Sequence, residues 1–383
     1  MATDNNNKVL NVPNLRFPEF SGEWERDSLM NIASISKGSG ISKEQLSDSG
    51  LPCILYGELY TKYKSEVITD IYSKTDIETK GLVSSMANDV IIPCSGEAAI
   101  EIATARCVPM SNILLGGDLN IIRLNGHDGR FFAYQLNGKR KIDIAKVAQG
   151  VSVVHLYGEH LKKINVVYPS FAEQNKIAQL LSLIDERIVT QNKIIEKLES
   201  LIKGIYDKTF ANFSKYLALS SICKIQKGQQ VNGEELSEFG EYYVMNGGIE
   251  PSGYYDKYNT MPNTISISEG GNSCGYIQFN TVPFWSGGHC YTLQGISTEY
   301  NTHFVYHYLK SKEKEIMALR IGSGLPNIQK KDLEKYLIPV LSLETQKSIV
   351  NGINKIETKL KHEKDILSAY QTQKAYLLRN LFI

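Results

Sequence analysis

The most regular hydrophobic pattern in the chain lies between Glu173 and Phe210. Apolar residues stand at Ile177, Leu181, Ile184, Ile188, Ile195, Leu198, Ile202 and Ile205, with the polar Gln191 filling one position of the same series. Steps of four and three alternate, a mean period of about 3.5 residues that keeps one narrow stripe facing a partner helix. Within this segment no glycine precedes Gly204 and no proline occurs, so the pattern predicts one unbroken helix over Gln174–Phe210, about 55 Å long. Such a helix is not stable alone in water. The chain offers a mate: 172 residues later the stripe recurs at Ile349, Ile353, Ile356, Leu360, Glu363, Leu367, Tyr370, Lys374 and Leu377.

The globular parts repeat as well. Leu29, Ile32, Lys37, Gly38, Leu46, Ser47 and Gly50 recur 190 residues on as Leu219, Ile222, Lys227, Gly228, Leu236, Ser237 and Gly240. NDVIIPCSG (Asn88–Gly96) matches NTISISEGG (Asn263–Gly271), and Gly116–Gly117 matches Gly287–Gly288. The first copy thus carries about 18 extra residues between Gly57 and Asn88. Short alternating or β-branched runs bounded by Gly, Asn and Pro predict mixed, strand-rich domains, while FFAYQLNGKRKIDIAK and HFVYHYLKSKEKEIMALR each predict a helix. The expected fold is α+β: two pseudo-repeated mixed α/β domains joined by an antiparallel two-helix coiled coil. The segments are a first domain at 1–170, a helix and linker at 171–213, a second domain at 214–341 and a helix at 342–383. The short linker ANFSKY favours the antiparallel arrangement. Pairing in that sense would bring Gln191 and Glu363, near the two helix midpoints, close together.

Composition narrows the class. No apolar run approaches the ~20 residues of a membrane span, and the polar N-terminus lacks a secretory h-region. The six cysteines form no C-x-x-C pair and read as buried thiols of a reducing, cytoplasmic compartment. A net charge of +1 leaves an extensive phosphate grip to local patches or to a basic partner.

Catalytic patterns are missing. No Pro-Pro pair exists for an amino-methyltransferase N/D-P-P-Y/F element, and no G-x-x-x-x-G-K-[ST] loop for ATP. KGSGISK (Lys37–Lys43) lacks a third glycine and reads as a turn. Glu78-x-Lys80 with Asp70 only faintly resembles a nuclease site, and it lies in the segment that the second copy lacks. His303 and His307 stand four apart without a third ligand, so no metal site is expected.

The phrase YPSFAEQNKIAQLLSLIDERI (Tyr168–Ile188), with its weaker copy IPVLSLETQKSIVNGINKIETKL (Ile338–Leu360), resembles the conserved segment of the specificity subunit of type I restriction–modification systems. Thr345 stands where that family usually has Glu. The lead NLRFPEFSGEWER (Asn14–Arg26) and the Lys-Gly turns at Lys37–Gly38 and Lys227–Gly228 are similar too.

The resemblance implies a non-catalytic subunit with two target-recognition domains, each reading half of a split double-stranded DNA site. The helices would set the gap, with half-sites about 34 Å apart, and would dock two adenine-N6 methyltransferase subunits and, through the complex, restriction subunits. S-adenosylmethionine, ATP and Mg would then serve those partners, with no cofactor on this chain. A stand-alone DNA-modifying enzyme or a duplicated protein-binding scaffold are the rival readings.

Base readout needs donor and acceptor side chains on loops, with glycine permitting close backbone approach. Candidates in the first copy are Lys37, Tyr56, Ser95, Glu97 and Arg106, plus the basic cluster Lys139, Arg140 and Lys141. In the second they are Lys227, Gln229, Gln230, Asn246, Ser286 and His289, the loop SEGGNSCG with Gly271, Asn272 and Ser273, and Asn327 and Gln329 after the Gly322–Gly324 turn.

Overall fold

A computed structural model describes residues 11–322 and 326–383. Gly324 of the expected Gly322–Gly324 turn lies outside the described residues. The chain forms two compact units, Met1–Asn192 with Asp365–Ile383, and Lys193–Lys364.

The first unit contains β1 (Glu25–Ser28), β2 (Ala33–Lys37), β3 (Leu51–Ile54), β4 (Asp89–Pro93), β5 (Arg106–Val108) and β6 (Leu119–Leu124). Helices α1 (Gly129–Asn137) and α2 (Lys141–Val147), strand β7 (Asn165–Tyr168) and the long α3 (Phe171–Thr209) follow. The second unit repeats the plan with β8 (Tyr216–Ala218), β9 (Lys224–Lys227), β10 (Tyr242–Met245), β11 (Thr264–Ser268), β12 (Ile277–Asn280) and β13 (Cys290–Gln294). After these come α4 (Thr302–Ser311), α5 (Glu313–Ala318), β14 (Leu337–Pro339) and α6 (Leu343–Asn380). Each expected helix before the long ones is in fact two. Gly138 ends α1, and α4 gives way to α5 at Lys312.

Both units are built on a four-stranded antiparallel sheet, ordered β2-β6-β4-β5 in one and β9-β13-β11-β12 in the other. Registers coincide: Ile35 faces Ile122 as Ile225 faces Leu293. Asn88 and Asn263, which precede the innermost strands, share a left-handed backbone (φ 78° and 58°) that Asn tolerates better than most residues. What differs is the far face. In β4, Val90 and Ile92 point to the helices, while Ile91 enters a second apolar cluster with Ile54, Leu59, Tyr63 and Ile68. In β11, Ile265 and Ile267 face the helices, but Thr264, Ser266 and Ser268 are buried on the other side. Asn280 makes that polar face tenable by donating to the Thr264 carbonyl and to Ser266 Oγ, both at 2.9 Å.

The extra residues of the first copy are an integral part of its unit. Ser73–Thr75 pairs antiparallel with β3, and Glu66 turns inward to Lys374 of α6 at 2.5 Å. Asp185 of α3 meets the same ammonium at 2.6 Å. Burial alone would discourage the Lys374 charge, but the two carboxylates outweigh it and hold its pKa above the ordinary value.

A buried glutamine fastens each long helix to the domain before it. Gln174 accepts from the Asp128 amide at 3.0 Å and donates to the Pro169 carbonyl at 2.8 Å. Gln346, 172 positions on, accepts from the Asn301 amide at 2.8 Å and donates to the Leu341 carbonyl at 3.0 Å. Beside Gln174, Glu173 is buried because Arg16 of the N-terminal lead grips it with two bonds of 2.8 Å. The second copy has no such lead. Thr345 takes the place of the carboxylate, and its amide donates to Ser342 Oγ at 3.2 Å, so no buried charge needs a partner.

Each unit holds half of α3 against half of α6, running antiparallel. In the second unit Glu199 pairs with Lys364 at 2.7 Å, and Tyr206, further along α3, reaches Glu357, further back along α6. Ile177, Leu181, Ile184, Gln191, Ile195 and Ile353 are buried, and Ile188, Leu198, Ile349, Ile356, Leu360, Glu363 and Leu367 are half-buried. Glu363 also bonds Lys359 at 3.1 Å. At the start of α6, Val350 is buried more deeply than Ile349, on the same face as Gln346, because that turn packs on the domain.

Inside the second unit, His307 bridges domain and helices: Tyr206 Oη lies 2.9 Å from Nδ1, and Nε2 lies 3.1 Å from Asn354 Oδ1. His303 packs on the Phe279 ring instead, 4.2 Å between centroids. Burial pushes the His307 imidazole down to about 4, below its unfolded value of ~6.5. The neutral ring therefore contributes stability that is complete above pH ~6.5 and lost as the pH falls towards 4, roughly 3 kcal/mol in all.

His307→Gln, which installs the residue found at the matching position Gln135, is expected to remove this acid sensitivity. Denaturant midpoints measured from pH 4 to 7 should fall less steeply in the variant than in the parent.

The Lys-Gly turns give a second test. Gly38 donates to the Leu119 carbonyl at 2.9 Å and Gly228 to the Cys290 carbonyl at 2.8 Å. A Cβ on Gly38 would overlap the Gly116 carbonyl oxygen, and one on Gly228 the Gly287 and Ser286 oxygens. Gly38→Ala or Gly228→Ala should each destabilise its unit by about 2 kcal/mol in denaturant unfolding. Gly40→Ala, with open space around the new methyl, should be nearly neutral.

Candidate nucleic-acid interface

In the second unit the Gly228 turn, the end of β11 and the Gly287–Gly288 corner converge on one cleft of about 640 Å3. Its lining includes Lys227, Asn246, Glu269, Gly271, His289 and Asn327. These residues come from five separate stretches, and backbone bonds hold the stretches together. Glu269 N–H reaches the His289 carbonyl at 2.9 Å, Ile328 N–H the Glu269 carbonyl at 2.8 Å, and Gly271 N–H the Pro326 carbonyl at 3.0 Å. Gly271 turns the chain at φ 76°, and Gly247 (φ 88°) does so opposite it, where Ser268 Oγ donates to the Gly247 carbonyl at 2.7 Å.

Charge in the cleft centres on Glu269. Its Oε1 accepts from Lys227 Nζ at 2.6 Å and from Tyr291 Oη at 3.0 Å. The Tyr291 hydroxyl pKa is raised, first by burial and then by this carboxylate. Oε2 has no hydrogen-bond partner among the described residues; His289 Nδ1 stands 3.4 Å away. The carboxylate is largely buried, whereas the side chains of Lys227 and His289 are 50% and 62% exposed. Asn246 Oδ1 accepts the His289 amide at 3.1 Å, which fixes the strand end beneath the imidazole.

Other expected residues of this copy fall around the cleft or behind it. Gln229 and Asn272 are exposed, Ser273 is half-buried with its carbonyl closing a turn to Tyr276, and Gln230 packs over Gly288. Gln329 precedes the short helix Lys330–Glu334. Ser286 must be withdrawn as a base reader: it is buried, its carbonyl receives the Gln229 amide, and its hydroxyl faces the Cys290 carbonyl.

The first unit has the same frame with different chemistry. Tyr56, Gly116, Gly117 and Asp118 line a smaller pocket of about 430 Å3. Ser95 Oγ donates to Asp118 at 3.3 Å, and the exposed Lys37 ammonium lies 6.0 Å from the Tyr157 ring centroid. Glu97 and Lys139 are exposed. Arg106 is corrected. It is buried in β5, with Nε and Nη2 donating to the Tyr63 carbonyl at 3.2 and 3.0 Å and Nη1 to the Ala105 carbonyl at 2.9 Å. Desolvation pulls its pKa below the usual guanidinium value. The basic cluster is also engaged internally: Arg140 binds the Ile383 carbonyl at 3.1 Å and Asp143, and burial lowers the Lys141 pKa.

The sequence profile described as the type I restriction modification DNA specificity domain matches residues 21–200 and again 214–369. The chain belongs to this family. A putative type I specificity subunit of Mycoplasma pneumoniae is 31% identical over 176 residues, 45% of this chain and 46% of that protein, so the match spans less than half the relative's length. A putative type I restriction enzyme specificity subunit of Methanocaldococcus jannaschii is 24% identical over 91% of this chain and 90% of its own. Among solved structures, the type I restriction-modification system S subunit from M. genitalium has the same fold. Its TM-score is 0.73 at 21% identity, covering 97% of this chain and 99% of that one.

Within this DNA specificity domain repeat, the residues missed in the sequence are Glu269, Tyr291 and the paired Gln174 and Gln346. Their polar groups bond other parts of the protein, which sequence alone does not show. Glu269 could have been found from the lysine 42 positions earlier, because the Lys-Gly turn and the end of the innermost strand meet in both copies. Among the described residues no group of His, Cys, Asp or Glu could hold a metal ion, and Asp70, Glu78 and Lys80 are exposed singly.

Because Arg106 satisfies two buried carbonyls, Arg106→Ala should cost the first unit about 2–4 kcal/mol through unpaired acceptors and lost volume. Denaturant unfolding of the intact chain checks this, with Lys139→Ala as the near-neutral comparison.

Proposed function

We propose that this chain is the DNA-specificity subunit of a type I restriction–modification complex. It reads a bipartite, asymmetric double-stranded site and scaffolds the subunits that act on it. The observation that carries this reading is the doubled frame. Two matches to the family profile coincide with two structural repeats, and each repeat brings a Lys-Gly turn to the same corner of its sheet. One domain reads each half-site, and the loops around the Lys37 and Lys227 turns supply the base contacts.

Catalysis resides in the partners: two adenine-N6 methyltransferase subunits using S-adenosylmethionine, and restriction subunits using ATP and Mg. A formal charge of +1 supports this division, since a chain gripping a long DNA footprint unaided would need more cations. The complex works in the cytoplasm. No helix among the described residues is long and apolar enough to cross a membrane.

Co-expression with a cognate methyltransferase, followed by single-molecule sequencing for N6-methyladenine, should yield one bipartite motif that vanishes when this chain is omitted. An unchanged methylome would instead favour a protein-binding scaffold. Methylation or cleavage by the purified chain alone would make it an enzyme. Removing one heptad from each of α3 and α6 should shorten the unread gap by about three base pairs, since seven helical residues span ~10 Å and a base pair ~3.4 Å. An unaltered gap would separate helix length from spacing.

A further inference from the structure

We propose that Lys227 reads a guanine in the major groove, with the buried carboxylate of Glu269 as its positioning residue and His289 as a second donor beside it. The inference rests on the DNA-specificity reading and names the base that one domain recognises.

A lysine ammonium has three donors. One is spent on Glu269 Oε1 at 2.6 Å, and the half-exposed side chain leaves the other two at the mouth of the cleft. Glu269 cannot swing away to release it. Its side chain is only 11% exposed, Oε1 also accepts the Tyr291 hydroxyl, and its backbone is bonded on both sides, to His289 and to Ile328. His289 Nδ1 lies 3.4 Å from the other oxygen, so the lysine and the imidazole flank one fixed anion.

That anion decides between the two things a lysine on DNA can contact. A phosphate brought to Lys227 would place its negative charge beside the Glu269 carboxylate, in a walled cleft where water screens poorly. The guanine edge is uncharged and presents two acceptors, N7 and O6, to paired donors. Adenine and cytosine each present an amino group there, which two further donors cannot satisfy, and thymine offers a single acceptor beside its methyl.

The first unit lacks the device. Lys37 occupies the matching turn, but Cys94 stands at the position of Glu269 and Asp118 at that of His289. Guanine reading of this kind is therefore confined to the half-site of the second domain.

The test uses the intact complex with its methyltransferase subunits. The wild-type motif is first defined by sequencing N6-methyladenine. Each guanine of both half-sites is then replaced singly by 7-deazaguanine, which removes the N7 acceptor and keeps Watson–Crick pairing. One guanine, in one half-site, should weaken wild-type binding roughly tenfold when replaced. Lys227→Met should bind the parent and 7-deaza duplexes equally, and Glu269→Gln should reduce the discrimination at that guanine alone.

If Lys227→Met weakens every duplex uniformly and keeps all discrimination, the lysine contacts phosphate and the proposal is wrong. If that variant fails to assemble, the wild-type scan still decides, because a motif with no N7-dependent guanine overturns the assignment. A wild-type complex that yields no bipartite motif would instead remove the functional reading on which the assignment rests.

Discussion

Neither long helix can exist without the other. A 39-residue helix with one apolar stripe buries too little of itself to be stable in water, and α6 has the same need. Their antiparallel pairing meets both demands and dictates how the units are made. Because α3 starts in the first unit and ends in the second, each unit takes half of its helical layer from a distant part of the chain. The polar contacts that fix the pairing differ at the two ends. In the first unit a lysine is shared by Asp185 and Glu66; in the second a neutral histidine is held between Tyr206 and Asn354. Two solutions to one packing problem are expected of a duplication whose halves have since evolved apart.

The same divergence shapes the sheets. Helix-facing positions of the innermost strand stayed apolar in both units, because they pack against equivalent helices. The far face was free to change. In the first unit it is apolar, since the extra segment with Leu59, Tyr63 and Ile68 covers it. In the second, Ser266 and Thr264 are buried there: Asn280 donates to Ser266 Oγ and to the Thr264 carbonyl, and the Thr264 hydroxyl donates to the Met261 carbonyl. The extra segment thus has a structural reason to exist: it covers apolar surface that the other copy does not have.

Much of this was legible in the sequence, where geometry imposes a period or demands a glycine. The heptad stripe located both helices, and the offsets between glycines located the turns, because Gly38 and Gly228 each lie against a carbonyl that excludes a side chain. The candidate corner was only partly legible. Arg106 carries a base-reading side chain, yet the carbonyl that buries it belongs to Tyr63, 43 positions away, in the segment without a counterpart. Glu269 was invisible for the opposite reason: as an acceptor it reads as an ordinary carboxylate until the fold sets it beneath Lys227. At the start of α6, Val350 is buried beside the half-buried Ile349, because that turn answers to the domain as well as to the partner helix.

The C-terminal residues carry a consequence for how the protein is made. Leu377, Leu381 and Phe382 are buried in the core of the first unit, Leu15 donates its amide to the Asn380 carbonyl, and Arg140 donates to the Ile383 carbonyl. A ribosome delivers residues in order, and domains ordinarily fold as they emerge. Here the first domain to emerge is the last that can close. Its helical layer stays incomplete through the synthesis of the entire second domain, because Asp365–Ile383 follow that domain in the chain. Closure of the first unit thus comes only after the second domain has been made.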